Sequence, residues 1–400
     1  MAARFAAEAG APVVLLERTR QGGKKIVISG GGRCNVLLSV VDPARFVTAS
    51  SPHTLRNLLL SWPLDEQRRF FEDDLGVPLA LEPETGKLFP ASNRATDVRD
   101  ALVHACRRAG VTLRFEALVT GLEADGPGWV VRLGGGAEVR ARAVVVATGG
   151  LSVPKTGSDG FGLRAAEALG HRVEPTYPAL APLTAEPAPH AGLAGLSLRV
   201  RIRAPQPKGH FETEGGFLFT HRGYSGPAAL NASHLVALAR RAGTEQPILV
   251  QWTDRDAEAW DRYLRVHGPG TVLGLLRETL PSRLADTLAR DAGLPPERTR
   301  ADLRRAERLR LVDVLTRYPL PWTGDEGYRK AEVTGGGVGL GEVHPRTLES
   351  RRRPGLFFCG EVLDAFGPIG GYNFLWAWST GRLAGRAAAL AIGDGSLARA

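Results

Sequence analysis

Apolar positions along the chain fall into short runs separated by glycine-rich turns, with few long amphipathic stretches. Residues 1–10 (MAARFAAEAG) read as a short helix, and residues 12–17 (PVVLLE) as a buried strand ending in an acid. Residues 21–35 (QGGKKIVISGGGRCN) read as a glycine-rich loop. Residues 55–75 carry helical spacing with one proline interruption. Residues 79–89 suggest a hairpin turning at Thr85-Gly86, residues 94–110 a helix, and residues 111–115 a strand. Short strands alternate around glycine turns over 117–139. AVVVA at 143–147 is a buried strand running into Thr148-Gly149-Gly150.

The texture changes near Pro182. Residues 182–255 hold short alternating segments with proline and glycine turns, which predicts an antiparallel β module. Residues 256–316 place Leu, Arg and Ala at helical spacing. Near Lys330 the glycine-rich α/β texture returns, with a buried strand at 356–359 (LFFC) and a final helix over 373–391. No internal repeat is visible. The predicted class is α/β: a discontinuous Rossmann-like domain made of residues 1–181 and 330–400. It is interrupted by an inserted domain at 182–329, with a β-barrel part (182–255) and a helical part (256–316).

Composition narrows the function. Four hundred residues supply two or three domains' worth of core. No apolar run is long enough to cross a membrane, and the first residues lack the basic start and apolar stretch of a signal peptide, so a cytoplasmic protein is expected. Cys34, Cys106 and Cys359 form no C-x-x-C pair, which argues against a dithiol centre, and no metal site is expected. The net charge of +9 is mostly arginine spread along the chain, without a dense basic block, and does not by itself call for nucleic acid. The arginine-rich stretch 298–317 also carries acids and an apolar face, as a solvated packing helix does.

Four stretches carry candidate chemistry. Glu17 ends a strand, where a carboxylate can accept from both hydroxyls of a ribose. Thr148 and Gly149 follow another strand, where small residues let a nucleotide approach the backbone. Gly370-Gly371 opens a long helix whose free N–H groups and dipole suit an electron-rich ligand. Lys24, Lys25 and Arg33 flank three consecutive glycines, Gly30, Gly31 and Gly32, whose amides can form an anion-binding concavity.

Together these segments resemble the YhiN/BaiN-like family of bacterial NAD(P)/FAD-dependent flavoproteins. The match rests on GKKIVISGGGRCN (23–35), ATGGLSVPKTGSDGFG (147–162), FTHRGYSGPAAL (219–230), AEVTGGGV (331–338) and GEVLDAFGPIGGYNFLWAWSTG (360–381). The resemblance implies an FAD-dependent oxidoreductase acting on a small molecule, with NAD(P)H as the expected reductant. It places Glu17 at the adenosine ribose, Ser29, Gly31, Gly32 and Arg33 on the flavin side, and Lys25 among the cofactor-binding residues. Thr148 and Gly149 come near the cofactor backbone, and Gly360 and Glu361 near its ribityl–pyrophosphate stretch. Gly371, Tyr372 and Asn373 bring the helix start to the flavin's pyrimidine carbonyls, and adenine falls near Val119. His221, Tyr224 and Ser225 are candidate polar groups for a transiently docked nicotinamide, and Cys34 a candidate redox thiol.

The family also expects a strand and a Gly-x-Gly-x-x-Gly loop before the first helix, and residues 1–17 supply only the helix and the following strand. Met1 is accordingly expected to be an internal methionine of a longer protein, the Rossmann-like domain to be N-terminally truncated, and the chain as written to bind FAD weakly or not at all. Two other readings stay open: a degenerate flavoprotein without activity, and a flavoprotein acting on RNA.

Overall fold

Val144–Val146 and Leu356–Phe358 are β-branched or bulky apolar triplets far apart in sequence, and they pair in parallel, Val144 against Leu356 through Val146 against Phe358. Leu356, Phe357 and Phe358 are fully buried, as a strand covered on both faces requires. A second parallel pair joins Val14–Leu16 to Thr112–Arg114. Here the expected buried strand differs: Val14 is exposed and Leu15 and Leu16 only half-buried, and among the described residues it has one strand neighbour. The computed structural model describes residues 1–266 and 268–393. Among these, no helix is long and apolar enough to cross a membrane, and no group of side chains could hold a metal ion.

Two compact units divide the chain, one made of Met1–Pro178 with the chain from Glu332 onward, the other of Ala179–Ala331. In the first, Tyr372–Gly393 is a 22-residue helix that runs through the core. The N-terminal helix Ala2–Glu8 lies against it where Gly381 and Gly385 remove side chains. A Cβ at Gly385 would stand 2.2 Å from the Ala2 carbonyl oxygen. The hairpin Leu79–Glu82/Lys87–Pro90 adds Leu37–Leu38 as a third antiparallel strand.

The second unit carries a seven-stranded antiparallel sheet, five of whose strands precede and two of which follow the helices Ala257–Arg265, Val272–Arg277, Ser282–Asp291 and Arg305–Thr316. Two details depart from the sequence reading. The strand order is open, ending at Tyr318–Pro319 on one side and Gly324–Asp325 on the other, where a barrel was expected. Pro319 has no N–H to extend the ladder at the Tyr318–Pro319 edge. The stretch 182–255 also contains the helix Pro227–Ala242, framed by Pro227 at its first turn and by left-handed Gly243 at its end. It is buried on most sides, so no amphipathic stripe marks it. Similarly, 298–317 is helical only from Arg305 to Thr316.

Three histidines sit in the cores. His171 meets the Ala166 carbonyl and Ser350, His190 lies between the hydroxyls of Tyr224 and Tyr318, and His234 meets the Asn231 carbonyl. Burial holds all three below the ordinary imidazole range, His234 down to about 4. The unfolded chain takes up protons on them below about pH 6.5, while the folded chain resists. Their stabilising effect is therefore complete above that pH and is lost as pH falls. Over the window down to about 4, His234 alone accounts for roughly 3 kcal/mol. Urea midpoints are expected to drop steadily from pH 7 to 4.5, and less steeply in His234→Gln; equal slopes for the two proteins would contradict this assignment.

Candidate functional site

The first unit gathers a polar cluster where the Val144–Val146 and Leu356–Phe358 strands end. Leu356–Phe358 runs into a turn at Gly360 that the final helix holds: the Gly360 N–H donates to Thr380 Oγ1 at 2.9 Å, and its carbonyl accepts from Trp376 Nε1 at 3.0 Å. This turn aims Glu361. Its Oε1 accepts from Ser152 Oγ at 2.7 Å and from the Thr334 N–H at 3.0 Å, and its Oε2 from Lys25 Nζ at 2.6 Å. Lys25 also donates to Ser152 Oγ at 2.5 Å, and Thr334 Oγ1 accepts from the N–H groups of Leu151 and Ser152. Ser152 and Thr334 are fully buried, whereas Lys25 and Glu361 keep 27% and 18% of their side chains exposed. The ion pair thus stands at the mouth of a buried hydrogen-bond network, next to Ala147 and Thr148, which are open to solvent.

A second focus lies at the start of the final helix. Gly370 and Gly371 have φ of 115° and 104°, a region closed to side chains. A Cβ at Gly371 would meet the Leu37 and Asn35 carbonyl oxygens at 3.2 and 3.4 Å. One at Gly370 would stand 2.6 Å from Lys87 Cε and 3.5 Å from its Nζ. The Lys87 side chain, half-buried, makes no hydrogen bond or ion pair among the described residues, while its charge acts on Glu82 opposite it in the hairpin and on Glu332. Asn35 Oδ1 is buried without a partner, beside Gly30. Tyr372 is buried, and its hydroxyl accepts from Arg45 at 2.9 Å. The Asn373 side chain turns back onto the loop before the helix. Its Oδ1 accepts from the Gly367 N–H and its Nδ2 donates to the Gly367 carbonyl, which clamps the loop and leaves only the helix's backbone for a ligand.

The remaining predicted residues are distributed around these two foci. The glycine-rich stretch is partly helical, Lys24–Ile28, before a left-handed turn through Gly30 and Gly31. Ser29 donates to the Ile26 carbonyl, while Gly31 and Gly32 have open space where a Cβ would go. Arg33 pairs with Glu82 at 3.3 Å and lies over the Phe89 ring, so its charge is already engaged. Glu17 accepts from the Thr19 N–H through Oε1 at 2.7 Å, and its other oxygen has no partner among the described residues. Val119 begins a strand of a three-stranded antiparallel sheet. Cys34 is fully buried and its thiol is pushed up to about 11, so it carries no thiolate at neutral pH, against its candidacy as a redox thiol. His221, Tyr224 and Ser225 belong to the other unit. His221 is exposed, whereas Tyr224 is fully buried, raised by that burial and bonded to His190, which argues against a direct role in chemistry.

Sequence reasoning passed over Asn35, Lys87, Ser152, Glu332 and Thr334. Asn35, Ser152, Glu332 and Thr334 lie inside recognisable glycine-rich motifs, so the signal was present though unread. Lys87 had none, being one strand residue of a hairpin. Glu332 is reached by solvent yet closely surrounded by protein. Burial pushes its carboxyl up, and the charges of Lys87 and Lys25 draw it back.

Similarity to known proteins covers nearly the whole chain. Residues 1–387 match the family described as "HI0933-like protein Rossmann domain". The ribosomal RNA dihydrouridine synthase of Escherichia coli (strain K12) is 34% identical over 381 residues, covering 94% of this chain and 92% of that protein. The 3-dehydro-bile acid delta(4,6)-reductase of Clostridium scindens (strain ATCC 35704 / DSM 5676 / VPI 13733 / 19) is 31% identical over 385 residues, covering 95% and 93%. A quinol-fumarate reductase structure with menaquinol molecules shares the fold, with a TM-score of 0.50 at 16% identity, over 98% of this chain and 69% of that one. The chain belongs to the HI0933-like family of FAD-binding flavoproteins, the YhiN/BaiN-type oxidoreductases that its motifs resemble.

Proposed function

We propose that this protein is an FAD-dependent reductase that saturates a carbon–carbon double bond conjugated with a carbonyl, drawing electrons from NAD(P)H. The observation that carries the reading is the Lys25–Glu361–Ser152–Thr334 cluster at the open strand ends, a cationic and hydrogen-bonding mouth beside backbone bare enough for a dinucleotide to approach. The fit to FAD is supported by the open space at Gly31 and Gly32 and by Asn35 Oδ1, which is buried without a partner among the described residues.

FAD, when bound, supplies the hydride chemistry. In this reading Glu361 fixes Lys25, whose charge offsets that of the cofactor's phosphates. Gly149 and Gly360 leave room for its chain, and Glu17 offers its free carboxylate oxygen to the ribose. The start of the final helix presents its N–H groups at residues 371–373 to the electron-rich edge of the ring. A cytoplasmic location, with its reduced nicotinamide pool, suits the reaction.

The substrate class comes from what two relatives' names share. Making dihydrouridine and reducing a 3-oxo-Δ4,6 steroid both add two hydrogens across a double bond conjugated with a carbonyl. A second reading, in which the double bond belongs to a uracil base of RNA, is favoured by the E. coli relative. Anaerobic mixing of the protein, in excess FAD, with NADH or NADPH is expected to bleach the flavin. Adding a 3-oxo-Δ4,6 steroid or a ribosomal RNA fragment should then restore its colour. Recovery with RNA and appearance of dihydrouridine select the second reading. A flavin that only oxygen reoxidises refutes both.

A further inference from the structure

Ser158 lies in the glycine-containing loop that follows the Val144–Val146 strand. It is 7% exposed, yet its hydroxyl makes no hydrogen bond among the described residues. Other hydroxyls of the same loop are spent: Ser152 donates to Glu361, and Thr156 to the Val153 carbonyl. A buried hydroxyl left unpaired is unfavourable, because it gives up its bonds to water without replacing them.

The loop holds Ser158 in place at a further cost. Val153 has φ of 47° and ψ of 65°, a left-handed conformation that a β-branched side chain rarely adopts. The loop is tied on both sides of this residue. The N–H groups of Leu151 and Ser152 donate to Thr334 Oγ1, and Arg18 donates to the Gly157 carbonyl and to the Asp159 carboxylate. Strain that the surrounding structure enforces at a site is a mark of function, since stability alone would remove it.

What Ser158 faces is bare backbone. Gly149 has φ of 70°, and a Cβ built on it would stand 3.2 Å from Ser158 Oγ and 3.9 Å from Glu361 Oε2. The space over Gly149 is thus bordered by a hydroxyl that can donate and a carboxylate that can accept. A ligand hydroxyl suits both neighbours, because it accepts and donates at once. A phosphate oxygen would instead meet the Glu361 carboxylate, like charge against like.

Resting on the FAD reading above, we propose that Ser158 binds the polyol chain of the cofactor, the ribityl segment between the flavin ring and the pyrophosphate. Its Oγ donates to a chain hydroxyl that in turn donates to Glu361 over Gly149. The unpaired hydroxyl and the strained loop are then parts of a site shaped for an occupant.

Ser158→Ala tests this, because in the free protein it removes a hydroxyl that has no partner. The free variant is expected to melt no earlier than the unaltered chain, while its FAD dissociation constant rises about five- to tenfold. Three comparisons assign the contact. Riboflavin, which has the polyol chain and the ring without phosphates, is expected to lose as much affinity as FAD. ADP, which has the phosphates without the polyol chain and is followed as a competitor of FAD, is expected to lose none. Oxidised and dithionite-reduced FAD are expected to lose equally, because the chain is unchanged by reduction. A loss with ADP equal to that with FAD assigns Ser158 to the pyrophosphate, and unequal losses in the two redox states assign it to the ring. Either result overturns the proposal, as does FAD affinity unchanged within about twofold. A variant that melts earlier and loses every ligand alike marks a structural residue and overturns it too. Failure of the unaltered chain to bind FAD instead refutes the FAD reading on which the proposal stands.

Discussion

Replacing Glu361 by alanine is expected to destabilise the first unit by about 3 kcal/mol and to weaken FAD binding at least tenfold. The carboxylate takes three hydrogen bonds, from Lys25, Ser152 and the Thr334 N–H. Removing it orphans a largely buried ammonium and takes from a buried hydroxyl and a buried backbone donor the acceptor they share. The loss is large because the partners left behind are desolvated, not because the pair itself is strong. Glu361→Gln keeps an oxygen for Ser152 or Thr334 and loses the charge that faces Lys25. It should cost about half as much in stability while giving most of the loss in FAD affinity. Chemical denaturation with matched slopes, together with FAD titration, measures both. A Glu361→Ala protein within about 0.5 kcal/mol of the original would show that the network is not held by its carboxylate.

The second large effect is steric. Gly385→Val is expected to cost about 3 kcal/mol, because its Cβ would stand 2.2, 2.8 and 2.9 Å from the carbonyl oxygen, Cα and carbonyl carbon of Ala2. These are backbone atoms, so no rotamer change relieves the clash, and one helix must move off the other. Met1 and Phe5 would then lose their cover in the core, Phe5 being packed with Trp62 and Phe70 at ring distances of 5.4 Å. Gly393 ends the same helix with nothing within 4 Å of where a Cβ would go. Gly393→Ala is therefore the control and should stay within about 0.5 kcal/mol of the original. Similar losses in the two variants would mean that helix propensity, and not the contact with Ala2, governs this position.

Much of the fold could be read from the chain. The buried strands AVVVA and LFFC are apolar triplets or longer with glycine after them, and no helix of that length would be stable between such turns. The hairpin at Thr85-Gly86 and the helix Ala95–Arg108 carry their own turn and spacing signals. What escaped was of two kinds. Pro227–Ala242 is helical but buried nearly all round, so periodicity had no polar face to detect. Lys24–Ile28 is a single turn and a half between glycines, too short for any pattern and formed because the rest of the unit holds it.

The candidate site divides along the same line. Sequence pattern located the glycines and the strand ends, since a bare backbone and a strand terminus are properties of a few consecutive residues. It also pointed to Lys25 and Glu361 separately. That these two meet, 336 residues apart, was settled by the pairing of the strands and the turn at Gly360. Tertiary structure likewise counts against two candidates for chemistry that the motifs had offered, burying Cys34 and Tyr224, and it ties Arg33 to Glu82 and the Asn373 side chain to Gly367. It brought Lys87 to Gly370. Local sequence determined which backbone could be bare and which segments must be buried. Only the packed chain decided which charges are satisfied, because pairing and desolvation depend on neighbours that the order of residues does not name.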